Sequence, residues 1–260
     1  MRRHILIEPT SRLAVWSLRL TLLGIGVALV AVVAARTDRL DGAQAAAALT
    51  AGLAVTAAGV VAAMLAGAFI WFSGYRGARY AVGALLLGTA ALAIPAVTLA
   101  AGIGHPMLND VTTDPADPPA FDIAATARPA SANPVAYSAD FGPLQRRLYP
   151  EIRPLEVDLP AEDVNEIVAE LVQSRGWRVL DRVDYRGPQR EGRFEMVDRS
   201  LVMGFRDDIV IRIRAVEGRA RIDMRSASRY GRQDFGVNAR RVIAALDDLR
   251  VAARRAQRQQ

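Results

Sequence analysis

The chain has 260 residues; its 33 basic residues are all arginine, against 27 acids, for a formal net charge of +6, and it contains no cysteine. Without lysine or cysteine it has no P-loop, Schiff-base or pyridoxal-phosphate lysine, no thiolate nucleophile, no thiolate metal site and no disulfide. The charge is divided along the chain: residues 1–104 hold eight Arg and three acids, 105–143 one Arg and five Asp, and 144–260 hold 24 Arg and 19 acids.

Three apolar runs come first, at about 13–35, 45–72 and 81–104, each near the twenty or so residues needed to cross a bilayer. Arg19 stands close enough to the start of the first to reach headgroups. Arg2, Arg3 and Arg12 precede that run, and Arg76 and Arg79 form an acid-free loop between the second and third. Arg36 and Arg39 are balanced by Asp38 and Asp41, and no basic residue follows the third run until Arg128. Positive-inside reasoning then expects an inner-membrane protein with a cytoplasmic N-terminus and a periplasmic C-terminal domain. If the first run were a signal peptide cleaved after Val33-Ala34-Ala35, two spans would remain with the same sidedness. Gly59, Ala63 and Gly67 recur at four-residue spacing, which suits either oligomerisation or, preferred here, packing among the chain's own helices.

Residues 105–143 form an acidic, proline-rich linker, expected to be an extended connector lying against the basic domain. Asp110, Asp114, Asp117 and Asp122 cluster there, but without EF-hand spacing or a turn glycine they make a poor calcium site. From 144 onward the pattern is that of a soluble α+β domain. Residues 155–159 suggest a strand, and Pro160 with Glu162 and Asp163 opens a helix closed by Gly176. Further strands are expected at 177–180, 193–198 and 208–214, the last in a hairpin with 219–226 through Glu217-Gly218. Facing Val216 with Arg219 sets Ile211 opposite Met224 and Ile213 opposite Ile222, whereas a one-residue slip would put Ile213 beside Arg221. The same register pairs Arg212 with Asp223, and sets Arg214 against Arg221, a repulsion that an acid or anion must relieve. After Gly236 a helix to about 252 buries Val242, Ile243, Leu246 and Leu249, and its arginine-rich end suits the helix dipole. The expected fold is therefore three transmembrane helices followed by an antiparallel sheet with two helices on one face.

The stretch Gly204-Phe205-Arg206-Asp207-Asp208-Ile209-Val210-Ile211-Arg212 is followed by Arg225-Ser226-Ala227-Ser228-Arg229-Tyr230-Gly231-Arg232-Gln233-Asp234-Phe235-Gly236. These runs, and the lead-in Asp110-Val111-Thr112-Thr113-Asp114, resemble the bacterial domain of unknown function 1499 family in its membrane-anchored members. The resemblance covers about 144–249. It implies a domain at the bacterial envelope and brings no activity or catalytic residues with it.

The only histidines are His4 and His105, so 144–260 has neither a Ser-His-Asp triad nor a multi-histidine metal site. Two readings of the arginine-rich segment remain. In one, Arg225, Ser226, Ser228, Arg229 and Arg232 form an anion site near the last helix, with Gly231 and Gly236 allowing close backbone approach. In the other, the charges belong to a structural ion-pair network holding Asp207, Asp208, Arg212, Asp223 and Asp234. Two function classes follow: a non-catalytic envelope module binding an anionic ligand or envelope protein, or an enzyme of Asp/Arg chemistry on an anionic envelope substrate. The expected partners are the membrane and an anion or envelope protein; interleaved acids argue against nucleic acid, and no cofactor or metal is expected.

Overall fold

The computed structural model describes residues 8–104, 106–187 and 191–259. Two compact units divide the chain, Met1–Gly104 and His105–Gln260. Arg2, Arg3 and both histidines lie outside the described residues.

The first unit is three helices, α1 (Arg12–Arg36), α2 (Gly42–Ser73) and α3 (Ala78–Gly102), each long and apolar enough to cross a membrane. Their ends are set locally. Ser11 accepts from the Ala14 amide at 3.3 Å, Asp41 and Gln44 form a capping box, and Gly74 closes α2 in the left-handed region. α1 and α2 approach until side chains no longer fit between them. A β-carbon on Gly24 would lie 2.4 Å from the Thr56 amide nitrogen, and one on Gly52 would lie 2.7 Å from that of Ala28. Gly59 likewise meets Ser17 and Thr21 of α1 and Ala63 is buried, whereas Gly67 faces open space. The first two small residues thus serve packing between the chain's own helices. Trp71, Phe72, Leu86 and Ile94 remain exposed, an apolar exterior suited to lipid.

The second unit is built on an antiparallel sheet. Its strands are β1 (Asp110–Thr112), β2 (Leu155–Val157), β3 (Arg178–Val183), β4 (Gly192–Arg199), β5 (Arg206–Val216) and β6 (Arg219–Ser228). They run in the order β1-β6-β5-β4-β3, with β2 also pairing β6. The two short strands share one edge of β6, β2 facing Ala220 to Ile222 and β1 facing Arg225 to Ala227. The hairpin has the register read from its apolar pattern: Ile211 faces Met224, Ile213 faces Ile222, Arg212 faces Asp223 and Arg214 faces Arg221. Antiparallel pairing gathers the starts of β1, β3 and β5 and the ends of β4 and β6 at one end of the sheet.

Two helices, α6 (Ala161–Arg175) and α7 (Val237–Gln257), cover one face. Ile209, Ile211, Ile213, Ile222 and Met224 pack there against Val164, Val168, Val242, Leu246 and Leu249. Pro160 precedes α6 and Gly176, at φ 65°, ends it.

The stretch 105–143 is not a connector outside the domain. It supplies β1, within the sheet, the short helix α4 (Ile123–Thr126) and the start of α5 (Phe141–Leu148); Phe121, Ala124 and Val135 pack on the sheet's other face. The stretch lies against the basic domain, as its charge suggested: Asp110, Asp114, Asp117 and Asp122 meet strand arginines.

Candidate functional site

Side chains alternate across a strand, so the residues between the isoleucines of β5 and β6 point away from the helices. That second face is charged. Asp208, fully buried, accepts from Arg128 Nε and from Arg229 Nη2, both at 2.6 Å. Arg225 grips Asp110 with two bonds, at 2.9 and 2.7 Å, and donates to the carbonyls of Pro119 and Val135. Its guanidinium lies 4.6 Å from the Phe121 ring centre. Asp223, also fully buried, pairs with Arg212 at 3.0 Å, Arg214 at 2.7 Å and Arg221 at 3.2 Å.

The linker acids complete the pairing. Asp114 binds Arg221 at 2.6 Å, Asp117 binds Arg214 at 2.7 Å, and Asp122 binds Arg193. The facing Arg214 and Arg221 are thus relieved by carboxylates of this chain. Glu195, buried on the same face, accepts the amides of Asp122 at 2.9 Å and Ala124 at 2.8 Å and holds α4 down. Burial pushes the Asp110 carboxyl above its ordinary range although Arg225 pulls it down. Asp117, accepting from Arg214, is held below that range. Burial, helped by the nearby Asp110 carboxylate, pushes the Tyr137 hydroxyl up to about 12.

At the helix-facing end of the sheet, Arg241 of α7 donates to Asp198 at 2.9 Å and to Asp207 at 2.7 Å. Asn238 accepts from the Ser226 hydroxyl at 2.7 Å and donates to that of Ser228 at 2.9 Å. Asp234 accepts the amides of Gly236 and Asn238 and so caps α7. Burial raises its carboxyl, opposed by those amides. Among the other residues expected in ion pairs, Asp207, Asp208, Arg212 and Asp223 all hold one.

The five residues considered as one anion site are not brought together. Strand alternation sends Arg225 to the charged face and Ser226 and Ser228 to the helix face. The Arg225 guanidinium is surrounded by Asp110 and two carbonyls, which leaves no face for a further anion. Arg232 is exposed in the loop before α7. Arg229 lines a cavity.

That cavity, of about 250 Å³, opens at the end of the sheet where β1 begins. Arg178, Arg199, Arg206 and Arg229 line it with Asp198, Ala127, Gly176, Leu180 and Val197. Arg199 and Arg206 face each other as the last pair of β4 and β5. Asp198 is bound to Arg241, and Asp208 holds Arg229 from behind, so four arginines and one carboxylate already paired make up the charged part of the lining. Such walls offer planar donors to phosphate or carboxylate oxygens. Arg178, Arg199 and Arg206 were not singled out from sequence. Their signal is positional: three arginines at strand ends that antiparallel order gathers together.

A sequence model of the family described as "Protein of unknown function (DUF1499)" matches residues 110–249, more than half of the chain and inclusive of β1 and the linker acids. No curated protein matches the chain.

Proposed function

The chain belongs to the DUF1499 family, and from that premise we propose that it is a non-catalytic, membrane-anchored module of the bacterial envelope that binds an anionic ligand. The observation that carries this reading is the cleft lined by Arg178, Arg199, Arg206 and Arg229. Binding rather than catalysis is supported by the state of its carboxylate: Asp198 is held by Arg241, and no second acid lines the cleft among the described residues. Three helices of 25, 32 and 25 residues support anchoring, and the distribution of arginine along 1–104 supports an inner-membrane protein with the second unit in the periplasm.

Anion binding is tested by thermal unfolding of the full-length protein in a neutral detergent, with inorganic phosphate, pyrophosphate or citrate added. A ligand that binds only the folded state raises the midpoint as its concentration rises. The rise is expected in the wild type and absent when Arg178→Gln and Arg206→Gln are combined. An equal rise in both proteins, or none in either, overturns the reading. Sidedness is tested by C-terminal reporter fusions: activity of a reporter that works only in the periplasm supports it, and activity of one confined to the cytoplasm overturns it.

A further inference from the structure

The loop between β4 and β5 carries Leu201 and Val202, 93% and 65% exposed. Leu201 is more exposed than any other large apolar side chain described, including those on the outer faces of α1, α2 and α3. A soluble domain gains nothing from such a tip in water. Arginines gather around it: Arg199 and Arg206 flank the loop, Arg178 starts the neighbouring strand and is exposed, and Arg232 is exposed in the loop after β6. Acids at the same end hold partners within the domain, Asp198 and Asp207 on Arg241, Asp208 on Arg128 and Arg229, and Asp234 on the α7 amides.

This is also the end at which the chain enters the domain. β1 starts beside the end of β6, the Ser228 amide donates to the Asn109 carbonyl, and that of Asp234 donates to the Leu108 carbonyl. Seven residues, 103–109, separate α3 from β1. Two further exposed apolar side chains, Met107 and Val237, lie in this entry region and at the first turn of α7. The opposite end of the sheet carries Glu217-Gly218 at its hairpin turn.

An apolar tip ringed by guanidinium groups has the composition of an interfacial membrane contact, apolar atoms at the acyl boundary and cations at anionic headgroups. We propose that this end of the second unit docks on the anionic phospholipid surface of the membrane that the helices cross. Leu201 and Val202 enter the headgroup–acyl boundary, while the exposed Arg178 and Arg232 meet lipid phosphates. The proposal rests on the anchored, anion-binding reading and names a phospholipid phosphate as the anion. The short tether keeps lipid at high effective concentration, so individually weak contacts are enough.

The absence of cysteine makes the test direct. Leu201→Cys in the full-length protein is labelled with an environment-sensitive fluorophore and reconstituted into phosphatidylcholine vesicles with or without phosphatidylglycerol. With phosphatidylglycerol, the probe at position 201 is expected to emit at shorter wavelength, resist acrylamide and be quenched by doxyl-labelled lipid. A probe placed through Glu217→Cys is expected to stay aqueous throughout. An aqueous probe at 201 in phosphatidylglycerol vesicles overturns the proposal. So does equal shielding in lipid-free detergent, which would make the occupant a second copy of the chain. Combining Val202→Asp with Arg232→Gln in the labelled protein is expected to abolish the shielding; retained shielding overturns it. The phosphate-dependent rise in thermal midpoint separates the two readings. If docking fails while that rise persists, the cleft reading stands; if the rise is absent, the cleft reading has failed as well.

Discussion

Toward α6 and α7, β5 presents Ile209, Ile211 and Ile213; from the alternate positions it presents Asp208, Arg212 and Arg214 to the segment 113–140. One strand therefore serves two kinds of packing. The isoleucine face is held by non-directional burial, which accepts neighbours of similar volume. The charged face is held by guanidinium–carboxylate pairs of fixed geometry, which accept one alignment of the covering segment. The first face supplies general stability. The second determines where Asp110, Asp114, Asp117 and Asp122 must lie.

The largest effect is expected from Asp208→Ala, which strips the carboxylate from Arg128 and Arg229, side chains only 3% and 2% exposed. Leaving buried charge unpaired costs about 3–5 kcal/mol. Urea unfolding followed through Trp177 measures it, with Trp16 and Trp71 replaced by Phe so that the buried core tryptophan reports alone. Ile211→Ala on the opposite face is expected to cost somewhat less, about 3 kcal/mol, as transfer energy and cavity together. If Asp208→Ala proves the milder of the two, the charged face is solvated in practice and the contrast between the faces collapses.

The smallest effect is expected at the exposed rim of the charged face, with a defined pH dependence. The Asp117 carboxyl is held below its ordinary value of 3.8 by Arg214. Its contribution is therefore present above that value and is lost as pH falls through the folded-state value. Asp117→Asn should unfold slightly earlier than the wild type near neutral pH, and the two midpoints should converge below pH 3.8; a gap that persists in acid would contradict the pairing. Asp110 works in the opposite sense. Its raised carboxyl holds a proton more readily folded than unfolded, so it favours folding at low pH and loses that contribution as pH rises through the folded value.

The isoleucine face was readable in advance because one alignment of the hairpin satisfies every apolar residue and the slipped one buries Arg221 against Ile213. The three apolar helices were readable from length alone. β1 was not, because three residues carry no usable period and their partner lies more than a hundred positions away. That the acids of 105–143 would lie against the basic domain was legible from charge, but their individual partners were not, for the same reason: the arginines that claim them come from β4, β5 and β6. The cleft was lost at strand boundaries. Ending one strand at 198 and starting the next at 208 left Arg199 and Arg206 in a loop, although they are the final cross-strand pair. Ending the other hairpin strand at 226 also left Ser228 outside the alternation that separates it from Arg225.

Asp110 and Arg225 are 115 residues apart. At translation rates of about 5–20 residues per second, roughly 6–23 s pass between the appearance of the carboxylate and that of its cation. The hairpin of β5 and β6 closes over neighbouring residues, whereas seating 110–140 across it closes some of the longest loops in the domain, a topology that folds slowly. The covering segment is thus made before the strands that seat it. A ribosome halted before codon 225 holds a chain whose acidic segment still lacks one of the arginines it was built to meet.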